Sequence, residues 1–156
     1  MYKKIKDFLR NYLKEEKVEL KPSHYDSISF RVDDKKIDDN GHVNFKFLCE
    51  FFENGFREYM QQRRVSHEFL GKEFGKTTFF RRQEIDYLGE LKLYDAGIIL
   101  TGVSEIHNSS FVVYQIIQNN KGKTLVVNKV IVVLFDIETK QKSIIPEVIR
   151  DRILSK

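Results

Sequence analysis

A chain of 156 residues is the size of one ordinary domain, and 41% hydrophobic content with 13 Phe and no Trp is apolar enough to exclude wholesale disorder. The formal charge of +4 arises from 27 basic and 23 acidic residues spread along the chain, which excludes the basic block of a nucleic-acid binder and fits a phosphorylated small molecule or an acidic carrier protein. One cysteine, Cys49, excludes an internal disulfide framework or a CxxC metal site and predicts a reducing, cytoplasmic location.

Taken in chain order, residues 3 to 16 place Ile5, Phe8, Leu9, Tyr12 and Leu13 at helical spacing, with Lys and Glu on the other faces. The spacing predicts an amphipathic helix within residues 1 to 20, packed on the body of the protein or, as the alternative, on a membrane surface or a partner. Its charges run throughout, so it is not a signal peptide, and no stretch approaches the roughly 18 uninterrupted apolar residues of a membrane span. A soluble protein is expected. Pro22 breaks the pattern, and "DSISFRV" then alternates as a strand does.

Residues 43 to 60 carry Val43, Phe45, Phe47, Leu48, Cys49, Phe51, Phe52, Phe56, Tyr59 and Met60, more than one face of a helix can hold. Such a helix must be buried on most sides. Its polar residues Lys46, Glu50, Glu53 and Arg57 fall on one narrow stripe at ion-pair spacing. Gly55 costs a helix interior about 1 kcal/mol relative to Ala, which predicts a close approach by another backbone.

Downstream, "TTFFRRQEIDYL", "AGIILTGVSEIH", "SFVVYQIIQ" and "TLVVNKVIVVLFDI" are β-branched and aromatic, with short turn-forming connections that suit antiparallel neighbours. "IPEVIRDRIL", opened by Pro146, reads as a short closing helix. An almost wholly apolar helix, with one strand before it and several long strands after it, satisfies its burial when a sheet curls around it. The prediction is an α+β hotdog fold over residues 24 to 156: a long central α-helix wrapped by a curved antiparallel sheet of about five strands.

The polar run "KKIDDNGHVNF" precedes the helix. A calcium loop needs oxygen ligands at its first and twelfth positions, and with Gly41 as the sixth residue those places fall to Lys36 and Phe47. Zinc is equally unsuited, because His24, His42, His67 and His107 have no ligand spacing. Read on spacing alone, the run is a turn in which Asp or Asn caps the helix.

The segment "FRVDDKKIDDNGHVNFKFLCEFFENGFREYM" resembles thioesterases of the hydroxybenzoyl-CoA thioesterase type, whose motif reads roughly D-x-x-G-H-V-N before an apolar helix ending in an acid and an arginine. The matching residues are Asp38, Gly41, His42, Val43 and Asn44, then Glu53 and Arg57. Asp38, Asn40 and His42 also match the D-x-N-x-H spacing of plant-type acyl-carrier-protein thioesterases. With the later strands, the resemblance covers about residues 27 to 152 and leaves out the N-terminal helix. Phe45 and Leu48 stand where many members have Asn and Tyr, and Lys36 replaces the first acid of the usual D-x-D pair.

The resemblance implies hydrolysis of an acyl thioester, with coenzyme A or an acyl carrier protein as the thiol, in a homodimer or homotetramer. It implies no metal or redox cofactor. That chemistry needs a base or nucleophile and donors aimed at the developing oxyanion. Asp38 is the expected base or nucleophile, Asn40 would orient water or the carboxylate, and His42 would assist proton transfer. The amides around Gly41, Val43 and Asn44, at the helix N-terminus, are the expected oxyanion donors. Glu53, with Glu50 beside it, is a candidate second carboxylate. Arg81 and Arg82 of "FRRQ", like the "NNKGK" turn, are candidates for phosphate contact. Cys49 reads as inert core. Two rival readings share the fold: a non-catalytic acyl-thioester-binding module, and a hydratase or dehydratase using His42 with Glu53.

Overall fold

The structure, a computed structural model, describes Pro22 and residues 24 to 155. The helix expected within residues 1 to 20 lies outside the described residues. The chain runs β1 (Asp26–Arg31), a 3-10 turn (Asp34–Lys36), α1 (Phe45–Gln62), α2 (His67–Phe74), β2 (Lys76–Tyr87), β3 (Ala96–Ile106), β4 (Ser110–Asn119), β5 (Thr124–Asp136) and α3 (Glu147–Leu154). The five strands form one antiparallel sheet in the order β1-β3-β4-β5-β2, with bulges in the β2–β5, β3–β4 and β4–β5 ladders. This is the hotdog arrangement expected from the sequence. No helix among the described residues is long and apolar enough to cross a membrane.

Helix α1 starts where Asn44 caps it, its Oδ1 accepting from Lys46 N at 3.0 Å. Two apolar clusters divide along its length. Phe51 and Phe52 pack with Phe30, Ile99 and Ile117 near its start, while Phe56, Tyr59 and Met60 pack with Val113, Val132 and the α3 residues Ile149 and Ile153 near its end. Each such aromatic side chain, taken fully from water, contributes about 1.5–3 kcal/mol. Helix α2 was not foreseen; its only sequence signals are Ser66, whose Oγ caps Phe69 N at 3.2 Å, and Gly75, which ends it at φ +61°.

A close approach is present at Gly55, but side chains of β3 and β4 make it in place of the expected backbone. A Cβ there would lie 2.9 Å from Thr101 Oγ1 and 3.2 Å from Gln115 Nε2. Beneath the glycine runs a buried polar row in which Gln115 Nε2 donates to Phe52 O at 2.7 Å and Asn128 Nδ2 donates to Gln115 Oε1 at 2.9 Å. At the far end of α1, buried Arg63 pairs with Asp26 and donates to Ile153 O at 3.2 Å, tying β1 and α3 to the helix. One carboxylate and two backbone acceptors, Ile153 O and Tyr59 O, thus satisfy a cation that would be costly to bury alone.

Strand β2 is an outer strand of the sheet, paired with β5 on one side. It carries Phe79, Phe80 and Tyr87 at 62%, 42% and 49% exposure.

Candidate active site

The run before α1 folds into a small hairpin. Ile37 bridges Val43, Asp38 N donates to His42 O at 2.8 Å, and Gly41 N donates to Asp38 O at 3.0 Å. Gly41 sits at φ +77°, where a side chain would be strained. Asp38 organises the tip: its Oδ1 accepts from Asn40 N at 2.9 Å and from His42 N at 3.1 Å. Asp38 and His42 therefore stand opposite each other at the root of the hairpin.

A second set of contacts fixes this hairpin to the connection between β2 and β3. Val43 N donates to Leu91 O at 2.9 Å, and His42 bridges Lys92. The result places His42 Nε2 3.4 Å from Glu90 Oε2. Glu90 in turn lies 3.5 Å from Lys92 Nζ. Sequence reasoning did not single out Glu90, because its meeting with His42 depends on backbone pairing that no local pattern encodes.

His42 and Glu90 line a cavity of about 300 Å³ beside the start of α1. Val43, Phe45, Leu48, Leu91 and Val126 supply apolar wall, and Tyr87 comes from the end of β2. Gly89 also lines it and must lack a side chain, since a Cβ would lie 2.7 Å from Leu125 Cδ2. Burial, with Cys49 as the lesser cause, pushes the Tyr87 phenol up. Burial also pushes the Cys49 thiol up, which disfavours the thiolate and agrees with an inert core residue.

The expected oxyanion amides are engaged elsewhere. Gly41 N, His42 N and Val43 N donate to Asp38 O, Asp38 Oδ1 and Leu91 O, and Asn44 N donates to Lys36 O at 3.0 Å. The first helical amide, Phe45 N, has no hydrogen-bond partner among the described residues, and Phe45 lines the cavity. Asn40 is exposed at the hairpin tip. Asp38 is half-buried beside the cavity's His42 but does not itself line the cavity.

Other expected residues lie away from this site. Glu53 pairs with Arg57 at 2.9 Å, both 63% exposed, and sits about 13 Å up the helix axis from the Asn44 cap. The carboxylate beside His42 is Glu90, so the His42–Glu53 pair needed for a hydratase is not assembled within the chain. Glu50 meets Lys36 at 3.8 Å, in place of the Lys46 and Arg57 partners its spacing suggested. Arg82 pairs with Glu84 at 2.6 Å, and Arg81 is exposed at the β2 bulge. Both lie roughly 17 Å or more along the strand from Tyr87. No group of side chains suited to hold a metal ion occurs among the described residues.

Residues 31–153 match the thioesterase-like superfamily. The chain belongs to that family. The enzyme class read from the motif, thioester hydrolase, is the class this family carries. Curated proteins offer no match to the sequence. Among solved structures, a probable thioesterase from Bartonella henselae is 22% identical, with a TM-score of 0.72 over 79% of this chain and 100% of that one. A 1,4-dihydroxy-2-naphthoyl-CoA thioesterase from Synechocystis is 12% identical, with a TM-score of 0.75 over 83% of this chain and 96% of that one. A Staphylococcus aureus protein solved in complex with CoA is 16% identical, with a TM-score of 0.77 over 86% of this chain and 84% of that one. At such identities the likeness is one of fold. The thioesterase-like fold thus brings the hairpin, the start of α1 and the β2–β3 connection to one apolar cavity.

Proposed function

We propose that this thioesterase-like protein hydrolyses an acyl thioester to a free acid and a thiol, with the acyl group in the cavity beside α1. The observation that carries the reading is the meeting of His42 and Glu90 at an apolar cavity lined also by Phe45, whose amide has no partner among the described residues. Asp38, opposite His42 across the hairpin, supplies the reacting carboxylate. Its Oδ1 is held by two amides, and Oδ2 is the oxygen that acts.

In the general-base form, Asp38 takes a proton from water as the water oxygen attacks the thioester carbonyl carbon. The oxyanion accepts a hydrogen bond from Phe45 N, helped by the partial positive charge of the helix start. Collapse breaks the C–S bond and expels the thiolate, and the proton that Asp38 took passes to the sulfur by way of His42, whose imidazole Glu90 holds, so that both side chains end as they began. In the nucleophilic form, Asp38 itself attacks, and water then hydrolyses the mixed anhydride. Rapid quench and mass spectrometry of the protein separate the two, because only the second forms an acylated Asp38.

The thiol is coenzyme A or the phosphopantetheine arm of an acyl carrier protein. Lys92, 3.5 Å from the cavity-lining Glu90, is a phosphate contact this geometry favours over Arg81 and Arg82. A second copy pairing along β2 would cover Phe79, Phe80 and Tyr87 and close the cavity at Tyr87. Sedimentation should therefore find a dimer or a larger even assembly. The deciding assay is thiol release from short, long and aromatic acyl-CoAs and from acyl carrier protein, by the native protein and by Asp38→Asn. Binding of acyl-CoA without release from either carrier would make the protein a binding module instead.

A further inference from the structure

The connection from β2 to β3, which carries Glu90 and Lys92, ends in a tight turn over Lys92–Asp95, closed by Asp95 N donating to Lys92 O at 3.1 Å. Both flanks of the turn are held. Lys92 bridges His42 on one side, and on the other Tyr94 N donates to Val32 O at 3.1 Å and Val32 N to Asp95 O at 2.8 Å. Asp95 Oδ2 accepts from Lys92 N at 2.8 Å, so the turn's own carboxylate is engaged within it.

Tyr94 is the third residue of this turn and stands at φ +66°, where glycine or asparagine is favoured and a bulky side chain is strained. Little packing offsets the strain. Tyr94 is 68% exposed and belongs to neither apolar core cluster. Arg64 and Lys140, the other non-glycine residues at positive φ among those described, carry flexible charged chains suited to water. At Tyr94 a rigid aromatic ring is held in solvent by the same backbone that positions His42 and Glu90. Strained residues fixed by their surroundings in this way cluster at ligand clamps. Tyr94 does not line the cavity, so its ring serves the part of a ligand that stays outside. Two residues earlier stands Lys92, whose side chain is 62% exposed. The two Cα atoms lie no more than about 7 Å apart, which sets a cation and a flat ring side by side next to the cavity.

We infer that Tyr94 is the platform on which the adenine of coenzyme A stacks, with Lys92 meeting the phosphates between that base and the arm that enters the cavity. The inference rests on the thioesterase reading of the cavity and deepens it, because it selects coenzyme A as the thiol. An acyl carrier protein brings the same phosphopantetheine arm without a purine, and so gives an exposed ring nothing to stack on. A nucleobase offers a π face that an aromatic side chain holds without hydrogen-bond readout. Tyrosine suits the task, since it has only two side-chain torsions to fix, and the strained turn has already fixed its backbone. Lysine meets a phosphate as a point charge and needs no set geometry.

Two variants of the full-length protein test this. The chain has no Trp, so Tyr94→Trp places one fluorescent reporter on the turn. Its emission should be quenched on titration with coenzyme A and with adenosine bisphosphate, and left unchanged by pantetheine. Tyr94→Gly removes the ring and gives the turn the residue it favours, so circular dichroism and Tm should confirm a native fold. Calorimetric titration should show that this variant binds coenzyme A about ten-fold more weakly than the native protein, the loss of one stacked base. Its KM for an acyl-CoA should rise by the same factor with kcat unchanged, while KM for the same acyl group on pantetheine stays native. Equal affinity of the two proteins for coenzyme A, or no binding by either, would overturn the inference. So would an equal loss with the pantetheine substrate, which would make the turn a support of the cavity, or a loss confined to acyl carrier protein substrates, which would make Tyr94 a protein-docking residue. The titrations need no turnover. A protein that releases no thiol, yet loses coenzyme A affinity in Tyr94→Gly, would refute hydrolysis and retain the adenine site.

Discussion

His42 Nε2 lies 3.4 Å from Glu90 Oε2, and the pair is held by backbone rather than by its own charge. Side chains 38% and 46% exposed gain little stability from each other in water. The hydrogen bond from Val43 N to Leu91 O and the bridge between His42 and Lys92 bring them together instead. Glu90 therefore orients the imidazole at little gain to the fold. Glu90→Gln should lower kcat for thiol release by about ten-fold, the equivalent of one charge-assisted hydrogen bond, with KM and Tm nearly unchanged. His42→Gln should cost roughly 10²–10⁴ in kcat. Steady-state kinetics on the preferred acyl thioester, alongside thermal melts, checks both.

Asp38 combines a turn role with a proposed chemical one, and two substitutions separate them. Asp38→Asn keeps an acceptor oxygen for Asn40 N and His42 N, so it should fold as well as the native chain while losing roughly 10²–10⁴ in kcat. Asp38→Ala leaves those amides without their acceptor and should cost a further 1–3 kcal/mol or so of stability. Urea unfolding of the two variants reads the difference. An Asp38→Asn protein with native turnover would return the reaction to His42 and Glu90 alone.

Gly55→Ala sets helix propensity against packing. The exchange favours the helix by about 1 kcal/mol, but the new methyl would press on Thr101 Oγ1 at 2.9 Å, Ile99 Cγ2 at 3.1 Å and Gln115 Nε2 at 3.2 Å. Overpacking of this kind costs about 1–3 kcal/mol. A net destabilisation of about 1 kcal/mol is expected in chemical denaturation, with the Gln115–Phe52 hydrogen bond the first contact to yield.

Acid should weaken the β5 end of the fold. The hydrogen bond from Lys76 Nζ at 2.6 Å, followed by that from Thr139 N at 2.9 Å, holds the Asp136 carboxyl well below its ordinary value of 3.8. A carboxyl depressed on folding contributes stability that is fully present above that ordinary value and is lost as pH falls below it toward the folded-state value. Lys76→Met should lower stability at neutral pH and flatten the acid limb of the stability profile. Denaturation midpoints, followed from neutral pH down through the carboxylate range, would show it.

Much of the architecture is legible in the residues themselves. The apolar excess from Val43 to Met60 demands a helix buried on most sides, and the alternating β-branched runs after it demand long antiparallel strands. Together they leave a sheet curled around a helix. Gly55 announces its close contact, and the Asp38–Asn44 string marks the corner where the candidate site lies. Helix α2 escaped notice because eight residues carry too short a periodic signal, with only Ser66 and Gly75 to bound it.

What the sequence by itself determined is the set of local choices: the capped helix, the glycine turn at Gly41 and the strand period. These depend on residues within a few positions of each other. Tertiary structure alone decided which groups meet. It consumed the amides of Gly41, His42 and Val43 in the hairpin and its pairing to the β2–β3 connection, set Glu90 beside His42, and left Glu53 on an exposed helix face. Those outcomes follow from long-range backbone pairing and side-chain packing, whose partners are separated by dozens of residues and leave no periodic trace along the chain.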